Sequence, residues 1–197
     1  MIDKSKLHSV FDEDDGPNDY LDLLRMRSLK RGKIYLLDDV EIEVAERLCL
    51  EIEEAQLAGI KTLNVVIGSP GGNVFAGLAI FDALQSFRDN GGKVITEARG
   101  YAASMGAIIL QAGDERIARK NARILIHEVR TFGWGVDTAS QSEEKAKEMK
   151  KVNLQLVKIL AERSGNSEKK IIGLIKKRDY WVNAEEAKNL NLIDRIV

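Results

Sequence analysis

Gly100-Tyr101-Ala102-Ala103-Ser104-Met105-Gly106-Ala107 is the stretch whose reading decides the fold. Before it, Lys93-Val94-Ile95-Thr96-Glu97-Ala98 alternates like a strand, and after it Ile108-Ile109-Leu110-Gln111-Ala112 is apolar enough to be a buried helix. Between the two lie one aliphatic hydroxyl and a run of very small side chains. A strand that turns sharply into a buried helix needs glycine or alanine where backbones pass closely. This geometry sets Ser104 at a helix start, where free N–H groups favour developing negative charge. Ser104 is then either a nucleophile with backbone amides beside it or an ordinary N-cap, a position serine also favours.

Working outward, the chain has 197 residues, enough for one large domain or two small ones with a real core. Its net charge of −1 gives no global field toward nucleic acid or an anionic membrane, and neither is expected as a partner. The single cysteine, Cys49, permits no intrachain disulfide and sits in a helical pattern as a small apolar group. One Cys and two His (His8 and His127) cannot assemble a clustered zinc site, so neither metal nor cofactor is expected. No apolar run reaches membrane-spanning length, and the acidic stretch from Met1 to Asp22 lacks the apolar region of a secretory signal. The expectation is a soluble, cytoplasmic protein.

Taken in order, residues 1–30 read as a flexible N-terminal segment, charged and turn-rich around Asp12–Asp19. A strand is expected over Lys33–Leu37, then a helix over about Glu41–Leu57 ended by Gly59. Thr62–Ile67 reads as a buried parallel strand running into Ser69-Pro70-Gly71-Gly72. A helix over about Val74–Arg88, the Val94–Ala98 strand, the helix after Ser104 and the Arg123–His127 strand follow. Strand and helix thus repeat, with reactive residues just past the strand ends, which is an α/β pattern with its ligand edge there. The longest helix spans about 137–164, polar in its first half, and is expected to project or to meet another subunit. A short helix over Ser167–Lys176, an extended Arg178–Val182 and a capping-box helix from Asn183 close the chain.

A serine nucleophile needs a base, and His127 is the only histidine in the folded region. A histidine ending an apolar strand can also be purely structural. The tautomer-fixing carboxylate cannot be chosen from spacing among the many aspartates. Gly71 and Gly72 before a helix expose N–H groups that could hold an oxyanion, or they are a tight turn only. No phosphate-loop motif occurs, so no nucleotide hydrolysis is expected of this chain.

Ser69-Pro70-Gly71-Gly72, Ala76-Gly77-Leu78-Ala79-Ile80-Phe81-Asp82, Gly100 to Ala107 and Ile124-Leu125-Ile126-His127 occur in this order. Together they resemble the ClpP family, the proteolytic subunits of the Clp protease, from about Ile34 to the C-terminus. The resemblance implies the ClpP/crotonase fold and a serine endopeptidase acting on unfolded polypeptides or peptides. It implies Ser104 as nucleophile and His127 as base and acid. The stretch Lys176 to Ala187 resembles the segment that carries the third member, which makes Asp179 the partner of His127. The backbone N–H groups of Gly72 and Met105 would form the oxyanion hole. Two stacked heptameric rings joined by the 137–164 helix, fed by a separate AAA+ unfoldase, are implied as the assembly.

Three departures from the family pattern stand out. After His127, glutamine, proline and a glycine pair are usual; here the run is Glu128-Val129-Arg130-Thr131-Phe132-Gly133-Trp134-Gly135. An acidic residue that usually precedes the triad aspartate by two is Lys177 here, a reversal of sign that bears on ring-to-ring pairing. Positions matching the unfoldase docking pocket are Asn64, Val66, Glu97, Arg99 and Arg119, mostly polar or charged. Apolar anchors buried against unpaired charges are unfavourable, so the usual docking by hydrophobic loops is not expected. Two other readings remain open from sequence: a crotonase-type acyl-CoA enzyme, and a non-catalytic ring subunit.

Overall fold

The computed structural model describes residues 20–130 and 138–197. The Asp12–Asp19 stretch and Gly133-Trp134-Gly135 lie outside the described residues. Elements in chain order are α1 (Tyr20–Leu29), β1 (Lys33–Leu36), α2 (Ile42–Leu57), β2 (Thr62–Ser69), α3 (Val74–Asp89), β3 (Lys93–Ala103) and α4 (Met105–Leu110). They continue as β4 (Glu115–Ala118), β5 (Arg123–Ile126), α5 (Ala139–Ser164), α6 (Glu168–Ile175), β6 (Tyr180–Asn183), α7 (Ala184–Asn189) and β7 (Arg195–Ile196). Helix α1 lies inside the segment read from sequence as flexible, and it packs near β1. It was hidden because its apolar residues do not gather on one face; Ser28 is its one buried residue.

The sheet runs β1-β2-β3-β4-β7, all parallel. Strand β3 serves two neighbours in succession. Ile95–Ala98 pair with β4, and Tyr101–Ala103 pair with β5. Gly100, at φ +76°, sits between the two pairings, a backbone conformation that glycine takes without steric cost. Beyond β5 the sheet turns antiparallel, with β6 alongside it. This branching carries β3 past the point where spacing alone would end it, right up to Ser104.

Burial follows the strand pattern. Leu63, Val65 and Ile67 of β2 point into the core, and Val66 on the opposite face is buried as well. Helix α2 presents Ala45, Leu48, Ile52 and Ala55 to the core, and α3 presents Ala76, Ile80, Leu84 and Phe87. Helix α5 starts in a capping box on Thr138 and ends at Gly165 in the left-handed conformation. Its buried residues begin only at Val152, so its N-terminal half is not covered by the rest of the subunit. Among the described residues no helix is long and apolar enough to cross a membrane.

A buried polar knot ties the C-terminus to the body. The Arg116 guanidinium donates to both oxygens of Asp194, to Gln111 Oε1 and to the Arg163 carbonyl. Partial burial pushes the Asp194 carboxyl up, but Arg116 outweighs it and holds the group below its ordinary range.

Candidate active site

Strand register builds the site. Ala103 pairs with Leu125, and the Ser104 N–H donates to the Leu125 carbonyl at 3.0 Å. Ser104 and His127 therefore leave parallel strands at the same edge of the sheet. Both line one cavity of about 300 Å³. Its floor and far wall are apolar, from Ile108, Leu156, Val157, Leu160 and Ile175, while Arg130 and Asn153 add polar groups.

Ser104 occupies the N-cap position of α4 with φ 52° and ψ −119°, and its side chain makes no capping hydrogen bond. The two readings of this residue thus separate. A capping serine has extended backbone and a hydroxyl turned onto the helix amides. Here the backbone is in a region that costs a non-glycine residue of order 1–3 kcal/mol, the kind of strain that collects at functional sites.

The Ser69–Gly72 turn is built against Ser104. Ser69, fully buried, donates its hydroxyl to the Asp38 carbonyl at 2.6 Å and accepts the Gly71 N–H at 3.1 Å. Val40 N–H donates to the Gly71 carbonyl, and Asn73 N–H to the Val40 carbonyl, so residues 71–73 run as a short parallel ladder beside Val40. Gly71 has φ +93°, and a Cβ there would stand 2.8 Å from the Met105 nitrogen. This turn holds Gly72 on the cavity wall. Neither the Gly72 nor the Met105 N–H has an acceptor among the described residues. First-turn amides are orphans by construction, which leaves Met105 available to an incoming oxygen.

His127 Nδ1 lies 2.5 Å from the Glu128 carbonyl. A carbonyl only accepts, so Nδ1 is the donor in this contact, and in a neutral imidazole that leaves Nε2 as the acceptor for a hydroxyl. Asp179 immediately precedes β6. The antiparallel pairing of β5 and β6 ends at Ile126 with Tyr180, and His127 and Asp179 are the residues just beyond that last pair. The Asp179 carboxylate nevertheless pairs with the Arg130 guanidinium. Ser104, His127, Gly72 and Met105, the residues expected from sequence, all line the cavity; Asp179 does not line it and is paired with Arg130, which does.

Two further contacts shape the site. Asn153 Oδ1 accepts the Val129 N–H at 3.0 Å, fixing the chain after His127 to α5. The Glu128 carboxylate accepts the Lys177 N–H at 3.0 Å. Neither had a signal in spacing, since each joins residues far apart in the chain.

A profile of the Clp protease family matches residues 18–197. The chain belongs to the Clp protease family. A curated relative from Rhodococcus jostii (strain RHA1), named ATP-dependent Clp protease proteolytic subunit 3, is 36% identical over 183 residues, 90% of this chain and 87% of the relative. Membership makes the chain a serine-type endopeptidase of the ClpP type, and the α/β sheet agrees with the fold of that family. Proteolytic subunits of the family work as oligomers with Clp ATPases.

The positions that the resemblance would assign to a docking pocket lie close together. Val66 pairs with Glu97 across β2 and β3, and Arg119 follows β4. Their charges are paired, unlike the sequence expectation: Glu97 Oε1 accepts from Arg119 Nε at 2.7 Å and from Arg99 Nη2 at 2.8 Å. Partial burial raises the Glu97 carboxyl, but the two guanidinium groups outweigh it and hold it below its ordinary value.

Proposed function

We propose that this chain hydrolyses unfolded polypeptides or peptides by acyl transfer through Ser104, His127 and Asp179. Ser104 Oγ attacks the scissile carbonyl carbon while His127 Nε2 takes the hydroxyl proton. The carbonyl oxygen becomes an oxyanion held by the Gly72 and Met105 N–H groups. The C–N bond then breaks, and His127 returns its proton to the leaving amine. Water, deprotonated by the same imidazole, attacks the acyl-enzyme and frees Ser104. Asp179, just beyond the last β5–β6 pair as His127 is, would accept the Nδ1–H hydrogen bond in the acting form and stabilise the imidazolium.

The observation that carries this reading is the positive-φ Ser104 with an uncapped hydroxyl, facing the same cavity as His127 and two amides without acceptors. The substrate backbone would add as a strand beside the residues after Gly72 and His127. The assembly we propose is two stacked heptameric rings in the cytoplasm, joined through the uncovered half of α5 and fed by an AAA+ unfoldase. The paired charges of Glu97, Arg99 and Arg119 would make a polar docking face, which suits a partner other than the usual apolar loops. A binding assay with an ordinary unfoldase tests that point: tight engagement that depends on its apolar loops contradicts it.

One observation favours a second reading, a subunit that is catalytically silent: the engagement of Asp179 by Arg130. Cleavage of an unstructured fluorogenic peptide by the wild type, lost in Ser104→Ala, supports the protease reading over the silent one. Cleavage unchanged in Ser104→Ala contradicts it.

A further inference from the structure

Two of the residues that depart from the family pattern after His127 reach the same short segment. The Glu128 carboxylate accepts the Lys177 N–H, and Arg130 pairs with Asp179. Lys177 itself is left-handed, at φ +57°, so the turn into Asp179 is shaped around these contacts. The other cation beside Asp179 is occupied: Arg178 donates to the Leu174 carbonyl at 2.7 Å and lies over the Tyr180 ring. His127 Nδ1, meanwhile, lies against its neighbour's carbonyl. Continued by one step, the β5–β6 register would set the Asp179 carboxylate near His127 to accept from Nδ1–H instead.

We infer that Arg130 is a positioning residue that competes with His127 for the Asp179 carboxylate, so that hydrolysis proceeds from the fraction of subunits in which the Arg130–Asp179 pair is open. The inference rests on the Ser104–His127–Asp179 reading and assigns it a control point within the subunit. Opening requires no refolding. Arg130 is 60% exposed and Asp179 39% exposed, so the guanidinium can swing into solvent. An exposed pair of this kind is weak and salt-sensitive. It therefore shifts the population about two- to fivefold rather than shutting the site.

The test measures kcat and KM on an uncharged fluorogenic peptide for wild type, Arg130→Gln, Asp179→Asn and the double variant. The expected result is a kcat raised about two- to fivefold in Arg130→Gln with KM little changed, and no gain when the same change is made on Asp179→Asn. Arg130→Lys, which keeps the charge but not the planar fork, should fall between. The unmodified protein gives an independent readout: added salt should raise its kcat, and should not raise that of Arg130→Gln. A kcat unchanged or lowered in Arg130→Gln overturns the inference, as does a gain that persists without Asp179. If Ser104→Ala still cleaves, the underlying reading falls as well, a result distinct from every outcome above.

Discussion

Gly71 packs directly on Ser104: a Cβ built at Gly71 would lie 2.6 Å from Ser104 Cβ and 2.7 Å from the Ala103 carbonyl. The turn that presents the Gly72 amide and the turn that presents the hydroxyl are one packed unit. Neither can move without the other.

Gly71→Ala should therefore damage both stability and rate. Its φ of +93° disfavours any side chain, and the clash is with backbone and Cβ atoms that cannot swing away. A cost of about 1–3 kcal/mol in unfolding free energy is expected, with peptide hydrolysis down about 100-fold from displacement of the reacting groups. Gly59→Ala is the control, since φ is +74° there but no atom lies within 4 Å. It should lose about 1 kcal/mol and keep its rate. Equal rates in the two variants would show that the packing of the turn on Ser104 does not matter.

Ser69→Ala removes one hydroxyl that serves two backbone groups, the Asp38 carbonyl and the Gly71 N–H. The Gly71 N–H is buried and the Asp38 carbonyl only partly so, and leaving them unpaired should cost about 1–3 kcal/mol, chiefly from the Gly71 amide. Chemical denaturation measures this, and peptide hydrolysis should fall as the Gly72 amide loses its fixed position. A variant as stable and as fast as wild type would contradict the role given to this turn.

Asp194→Asn removes the counter-charge of Arg116, whose side chain is 6% exposed. Removing one partner of a fully buried pair costs about 3–5 kcal/mol, but Asp194 is 41% exposed, so water limits the loss to about 1–3 kcal/mol. The folded-state carboxyl is held below its ordinary value. Its stabilisation is thus fully present above the unfolded-state value of about 4 and is lost as pH falls through the lowered folded value. Denaturation midpoints of wild type and variant should converge only in that acid range. Convergence already near neutral pH would contradict the sign.

Much of this arrangement was legible in sequence, for reasons that differ by residue. Strands β2 and β5 are nearly continuous apolar runs, and the capping box at Asn183 forms with both of its bonds, to and from Glu186. Ser104 stood out as the one aliphatic hydroxyl between a strand and a buried helix and His127 as the one histidine of the folded region, while the roles of Gly72 and Met105 came from the resemblance to the ClpP family. What escaped depends on long-range geometry. Strand β4 is four residues, two of them charged, and becomes a strand only because β3 and β7 flank it. The Arg130–Asp179 pair joins residues 49 positions apart. The resemblance placed Arg130 in a departing run and Asp179 in the segment of the third member, but that the two side chains meet is visible only in the folded chain.

The most direct test of the central claim is mass spectrometry of the protein after treatment with a fluorophosphonate probe, wild type against His127→Ala. The account predicts a single adduct on Ser104, formed about 100-fold or more slowly without the imidazole. An adduct on another residue, or equal labelling rates in the two proteins, would contradict it.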